Sequence, residues 1–176
     1  MPSGSAGRRY AQAVFELAQS TNQLDLWASD LEVIKLVFED RAVSIRLENP
    51  KVTQDKKVAL VSQILKGKIS QPAYSLAILL VNRQRQAFAG AIYTEYNRLL
   101  NNLRGIAEAE VTTAVEMDPA TEARVIEQLT KITGKQILMT KKVDPSILGG
   151  IVARVGDTLI DGSLKSRLQA LRKSLA

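Results

Sequence analysis

A chain of 176 residues is long enough for one ordinary domain or two small ones, and its 45% hydrophobic content is that of a folded globular protein. It holds no cysteine and no histidine, which excludes disulfides, thiol nucleophiles, zinc fingers and Ser-His-Asp catalysis and leaves carboxylate, lysine or tyrosine chemistry. The net charge of +6 would suit nucleic acid or anionic lipid, but it is spread out: residues 1–105 carry 14 Lys+Arg against 9 Asp+Glu, residues 106–176 carry 10 against 9, and no basic run exceeds two, so a solvated mixed surface is the better reading.

The opening Met1 to Arg9 has no apolar core after its basic pair, so no secretion signal is expected. Arg8 to Ser20 reads as a helix that is apolar around much of its circumference, through Tyr10, Ala11, Ala13, Val14, Phe15, Leu17 and Ala18. Leu24, Trp27, Leu31, Ile34 and Phe38 then recur at spacings of 3, 4, 3 and 4, the stripe of a second helix. On so regular a stripe Trp27 reads as core in preference to a ligand-stacking ring. Ala42 to Leu47 is a short helix closed by Asn49-Pro50, because Pro biases its predecessor away from helix. Thr53 is placed to cap a helix carrying Val58, Val61 and Leu65, which Gly67 stops. Pro72 suits the first turn of a densely apolar helix running through Leu76, Ala77, Ile78, Leu79, Leu80 and Val81. The longest weakly polar stretch, Ile69 to Asn82, is broken by Ser70, Gln71, Pro72 and Ser75 and falls short of the roughly 20 apolar residues needed to cross a bilayer. A soluble intracellular protein is therefore expected, without direct membrane insertion. A last helix keeps Phe88, Ile92, Tyr96, Leu99 and Leu103 on one face and ends at Gly105. Up to six helices with short connections predict a compact bundle.

At Gly105 the period changes from helical to alternating. Ala107, Ala109, Val111, Thr113 and Val115 alternate with Glu108, Glu110, Thr112 and Ala114, a strand with one face on a core. Asp118-Pro119 starts a helix lined by Val125, Leu129 and Ile132 and ended by Gly134; a strand from Gln136 to Val143 follows. After Asp144-Pro145, Ile151 to Val155 and Thr158 to Ile160 form a hairpin around Gly156-Asp157. Asp161-Gly162-Ser163 leads into a final helix with Leu164, Leu168, Leu171 and Leu175. The expected fold is α+β, mainly α: a six-helix bundle over 1–105, then a small β-α-β-β-α domain over 106–176. A sheet so small has limited core to bury and is expected to lean on the bundle or on a partner.

Phosphate-binding glycine loops of the G-x-x-x-x-G-K-[ST] and G-x-G-x-x-G types are absent. Gly149-Gly150 permits either a ligand near the backbone or, the preferred reading, a close strand crossing or bulge. Glu108 and Glu110 share a strand face; a solvated face is favoured over an acid/base pair or weak metal site. Lys141-Lys142 reads as an exposed strand end ahead of a phosphate contact. The tyrosines and phenylalanines form no nucleic-acid stacking platform. The remaining anomaly is apolar excess in the helices at 10–18 and 74–81. Such helices are either buried at the bundle centre, which the pattern alone favours, or leave a groove for a foreign helix.

Three motifs now bear on that choice. Arg9-Tyr10-Ala11-Gln12-Ala13-Val14-Phe15 resembles an R-Y-A-x-A-[LVA]-[FY] first-helix motif. Asn49-Pro50-Lys51-Val52, with Lys56-Lys57 soon after, resembles an N-P-x-[IV] turn. Asp144-Pro145-Ser146-Ile147-Leu148-Gly149-Gly150, continuing into Gly156-Asp157 and Asp161-Gly162-Ser163, resembles a D-x-[ST]-[LIV]-x-[GA]-G … G-[DN] … D-[GS]-S block. In this order and over nearly the whole chain they resemble the delta subunit of bacterial and plastid F-type ATP synthases, called oligomycin-sensitivity-conferring protein in mitochondria. The resemblance implies a non-catalytic stator subunit with no cofactor and no metal, peripheral on the cytoplasmic face of the bacterial plasma membrane. It implies that the bundle binds the amphipathic N-terminal helix of an alpha subunit of the catalytic head, in a groove of Tyr10, Ala13, Val14 and Leu17 with Leu76, Leu79, Leu80 and Arg83. It further implies that the C-terminal domain grips the peripheral-stalk b subunits, around Leu164, Leu168 and Leu171. Gly149, Gly150, Gly156, Asp157, Asp161 and Gly162 are then structural turn residues. Two other classes compete: an RNA-binding helical bundle, supported by the net charge alone, and a small carboxylate or lysine enzyme. No nucleic-acid partner is expected.

Overall fold

The structure, a computed structural model, describes residues 4–156 and 158–174. It divides into two compact units, Met1–Leu100 and Asn101–Ala176. Overall it is a mainly helical α+β protein with one four-stranded sheet among the described residues. No helix among them is long and apolar enough to cross a membrane.

The first unit is built from α1 (Gly4–Ser20), α2 (Leu24–Glu39), α3 (Arg41–Glu48), α4 (Gln54–Leu65), α5 (Gln71–Asn82) and α6 (Ala89–Leu103), with a 3-10 turn at Gln86–Phe88 before α6. The helix ends follow local chemistry. Asp40 caps α3 by accepting from the N–H groups of Ala42 and Val43 at 2.9 and 3.1 Å, which removes orphan donors of the first turn. Ser70 caps α5 by accepting from Ala73 N–H, with Pro72 in the first turn. Thr53 occupies the cap position of α4 but makes no side-chain cap bond, contrary to the expectation from its type. α1 begins at Gly4, earlier than the apolar pattern indicated.

One continuous core joins these helices. It holds Ala11, Val14, Phe15 and Ala18 of α1, Trp27, Leu31, Ile34 and Phe38 of α2, Leu76, Leu80 and Val81 of α5, and Ile92, Tyr96 and Leu100 of α6. Trp27 is core. The rings of Phe15 and Tyr96 meet edge to face at 5.7 Å, and the Tyr96 hydroxyl donates to the Leu24 carbonyl at 2.9 Å, so its polar end is satisfied inside. Two polar groups also pin α5. Buried Asp30 of α2 accepts from Ser70 N–H at 3.1 Å, and Gln54 of α4 donates to the Val81 carbonyl at 2.8 Å. The α6 stripe largely follows the expected one: Ile92 and Tyr96 are buried together with Leu100, and Leu99 and Phe88, the latter in the 3-10 turn, pack partly buried against the same core, whereas Leu103 is exposed.

The second unit runs β1 (Ile106–Thr113), α7 (Pro119–Thr133), β2 (Gln136–Val143), β3 (Ile151–Val155), β4 (Thr158–Asp161) and α8 (Leu164–Ser174). Its order is thus β-α-β-β-β-α: the four strands stand where the sequence placed them, and the expected formula β-α-β-β-α, which counts the hairpin once, is one strand short. The sheet order is β2-β1-β3-β4, with β1 and β2 parallel and the other pairs antiparallel. Cross-strand partners Ile137, Ala107 and Met139, Ala109, Val155 share a face, so one side of the sheet meets Val125 and Leu129 of α7 in a small core. Asp118 caps α7 by accepting from Thr121 N–H at 2.6 Å, and Gly134 ends it in the left-handed region. β1 stops at Thr113, two residues short of the alternating pattern, where the Thr113 hydroxyl turns to donate to the Val115 carbonyl at 2.7 Å. Ile132, expected on the inner stripe, is exposed; Ile126 packs on the core instead.

Candidate functional site

The residues expected to line a groove divide into two sets. Val14, Leu76 and Leu80 are 5%, 9% and 1% exposed and belong to the core of the first unit. Leu17 and Leu79, at 47% and 42%, stand in water, as do Ala13 and Arg83; Tyr10 is half-buried. The division follows from helical geometry. Val14 and Leu17, or Leu76, Leu79 and Leu80, lie on one helix, yet a step of about 100° per residue turns some inward and others out. The outward leucines are the residues that a partner can reach.

A contact that the sequence did not reveal ties α1 to the end of α5. Arg85 Nη1 donates to the Tyr10 hydroxyl at 3.1 Å, and its guanidinium lies 5.7 Å from the Tyr10 ring centroid, a cation–π distance. The chain reaches this arrangement by an unusual stop. Gln84 takes φ +55°, and the following Arg85 N–H closes on the Leu80 carbonyl at 2.7 Å while Gln84 N–H closes on Val81, the bond pattern of a Schellman cap. Glycine ordinarily fills that left-handed position. With glutamine there, no residue type announced the cap.

In the second unit the expected turn residues form one connected corner. Gly150, at φ +81°, lies so near the Gly162 carbonyl that a Cβ would also meet Ser163 Cα at 3.1 Å. Gly149 O accepts from Leu164 N–H at 2.9 Å, and Gly162 N–H donates to Ile151 O at 2.8 Å. The glycine pair thus serves a close approach of backbone to backbone. Asp161 accepts from Ser163 N–H at 2.9 Å and from the Ser166 hydroxyl at 2.5 Å; the Ser166 bond foremost, with Ser163, holds its carboxyl below the usual aspartate range. Asp144 accepts from Ser146 N–H at 2.9 Å, and that bond lowers its carboxyl likewise. Ser163 is buried, and its hydroxyl accepts from Ser166 N–H at 3.2 Å to cap α8. Gly156, at φ +57°, opens the two-residue hairpin loop; Asp157 lies outside the described residues.

From this corner α8 sets out with Leu164, Leu168 and Leu171 at 47%, 57% and 56% exposure, spaced 4 and 3 apart on one face. Leu175 lies outside the described residues. The other sites of interest are plain. Glu108 and Glu110 are exposed, with Asn101 Nδ2 donating to Glu108 at 2.8 Å. Lys141 pairs with Glu122 of α7 at 2.8 Å. No group of three or more potential metal ligands occurs among the described residues.

Comparison with known proteins places this architecture. The family model described as ATP synthase delta (OSCP) subunit matches residues 6–175. The chain is 40% identical over 168 residues to an ATP synthase subunit delta of Dehalococcoides mccartyi, covering 96% of this chain and 92% of that one. It is 34% identical to the protein of that name from Desulforamulus reducens over 173 residues, covering 98% and 96%, and 33% identical to that of Desulfitobacterium hafniense over 176 residues, covering 100% and 99%. Among solved structures, a chain of the Toxoplasma gondii mitochondrial ATP synthase hexamer has the same fold, with a TM-score of 0.70, 21% identity and 96% of both chains covered. Matched over residues 6–175 by the family model and over 96% of its length by a relative at 40% identity, the chain belongs to the ATP synthase delta (OSCP) subunit family.

Proposed function

We propose that this chain, a delta (OSCP) subunit of the F-type ATP synthase and a component of its peripheral stalk, is a two-ended mechanical tie with no active site of its own. In this reading α1–α6 act as a six-helix bundle, residues 1–105, that receives the N-terminal helix of an alpha subunit. Residues 106–176 hold the b subunits through α8. The protein then sits peripherally at the cytoplasmic face of the bacterial plasma membrane, with neither cofactor nor metal. One observation supports it above others: each unit completes its own core and still leaves leucines in water, Leu17 and Leu79 in the first, Leu164, Leu168 and Leu171 in the second.

The mechanism follows from torque. A rotor turning inside the catalytic head drags the head with it unless the head is held, so useful work requires a static link that releases slowly. Apolar anchors supply this, because removing them from water concentrates binding energy in a few side chains and lowers the rate of release. Burying one leucine is worth about 1.5–3 kcal/mol, so two or three per end are enough to matter.

The test uses the full chain and a peptide of the first ~20 residues of the cognate alpha subunit, which as a helix spans about 30 Å. Leu79→Asp is expected to weaken binding by at least about tenfold in titration calorimetry, because docking then buries a carboxylate. The melting temperature stays near that of the parent, since Leu79 is already exposed. Equal affinity in the folded variant would remove α5 from the binding surface.

A further inference from the structure

The charge around Tyr10 restricts what can dock there. Residues 56–94, which include all of α5, contain no Asp or Glu but hold Lys56, Lys57, Lys66, Lys68, Arg83 and Arg85. The first acidic residue of the chain is Glu16, so the first turns of α1 carry Arg8 and Arg9 and no carboxylate. Of the three carboxylates that bound these stretches in sequence, Glu16, Asp55 and Glu95, the first and the last are engaged. Glu16 accepts from Gln12 at 2.9 Å, and Glu95 of α6 is paired with Arg98 at 2.8 Å, with Arg8 adding to its field. The contact between Arg85 and Tyr10 joins these two acid-free stretches, and Arg9 and Arg83, both exposed, flank it in sequence. Among the described residues no ion pair is formed by Arg9, Arg83 or Arg85.

Resting on the docking reading above, we infer that the α1–α5 surface selects its partner by charge: it takes an amphipathic helix that carries carboxylates beside its apolar stripe, and Arg85, held on Tyr10, is the specificity-determining residue. A guanidinium tied to the Tyr10 hydroxyl and lying within cation–π distance of its ring is already restrained, so less side-chain freedom is lost when it engages a carboxylate. The positive φ of Gln84 aims Arg85 at α1, which is a costly conformation to keep at a bare helix end. The exposed leucines argue for a helix over nucleic acid, since Leu17 and Leu79 offer no stacking surface for bases. Opposed charges at the rim act chiefly on the rate of encounter and on the choice of partner.

The experiment takes the full chain and the alpha-subunit peptide in two forms, native and with every Asp and Glu replaced by Asn and Gln. Arg85→Gln with Arg83→Gln is expected to weaken the native peptide about fivefold to tenfold and to leave the neutral peptide unchanged. Raising salt from about 0.05 M to 0.3 M weakens the parent's binding more than that of the double variant, because the Debye length shortens from roughly 14 to 6 Å. Arg85→Lys keeps the salt dependence while losing part of the affinity, since charge remains but the guanidinium's bond to the Tyr10 hydroxyl and its forked geometry do not. Leu79→Asp is run beside them. If Leu79→Asp abolishes binding while the arginine variants bind both peptides as the parent does, the charge selection is refuted and the docking surface stands. If the parent binds neither peptide, both are refuted. If the parent instead binds a single-stranded RNA of about 20 nucleotides, with Arg83→Gln/Arg85→Gln losing it, the basic surface belongs to nucleic acid and the inference falls.

Discussion

At the scale of residues, exposure separates two apolar roles within a single helix. Val14 and Leu17 are one turn apart on α1, but Val14 is enclosed by the core and Leu17 is half in water. The same substitution therefore has opposite consequences at buried and exposed positions. Val14→Asp places an unpaired carboxylate among apolar neighbours and is expected to destabilise the first unit by several kcal/mol, seen as a large fall in the urea midpoint. Leu79→Asp is not. Urea titration of the two variants checks this, and a Val14→Asp protein as stable as the parent would mean that Val14 is not core. The sequence displayed both kinds of residue as apolar, and nothing in residue type distinguishes a core valine from an exposed leucine nearby. Arg85 was illegible for a different reason. Its role comes from a left-handed Gln84 and from Tyr10, 75 residues away, and neither a positive φ nor a distant ring is written in local pattern.

At the scale of elements, most helices and strands could be read from period and punctuation. The 3, 4, 3, 4 stripe of α2, the Asp118-Pro119 start and Gly134 stop of α7, and the alternation of β1 all correspond to observed elements. Errors lie where an element's end or rotation depends on something beyond it. Leu103, at the end of α6, lies outside the core, and β1 ends at Thr113, whose hydroxyl bonds the Val115 carbonyl. The corner of Gly149, Gly150 and Gly162 shows how tightly two elements are joined. Gly150→Ala must add a Cβ at φ +81° against the Gly162 carbonyl, which leaves no room to relax. A cost above about 1 kcal/mol is expected from the backbone conformation alone, with more from the clash. Chemical denaturation followed by hydrogen exchange in β3 and β4 checks it; an Ala variant with unchanged protection there would mean that the corner opens freely.

At the scale of the whole molecule, the two cores are separate sets of side chains, and the proposed partners meet different units. Mutations at the two ends are then expected to act independently. Leu168→Asp should weaken binding to a peptide from the C-terminal end of the stalk b protein by about tenfold or more and leave the alpha-peptide affinity as it was, whereas Leu79→Asp does the reverse. Calorimetric titration of each variant with each peptide decides the matter, and loss of both affinities from either change would refute two independent ends. What the sequence determined by itself was the class and succession of elements, the absence of cysteine and histidine chemistry, and the motifs that carry the family likeness, because these depend on residue type, spacing and order along the chain. Only tertiary structure decided which apolar residues close the core and which stay in water, Leu103 of α6 among the latter, and that Arg85 meets Tyr10. Those outcomes depend on how helices rotate and pack against neighbours distant in sequence, and local preference does not encode that choice.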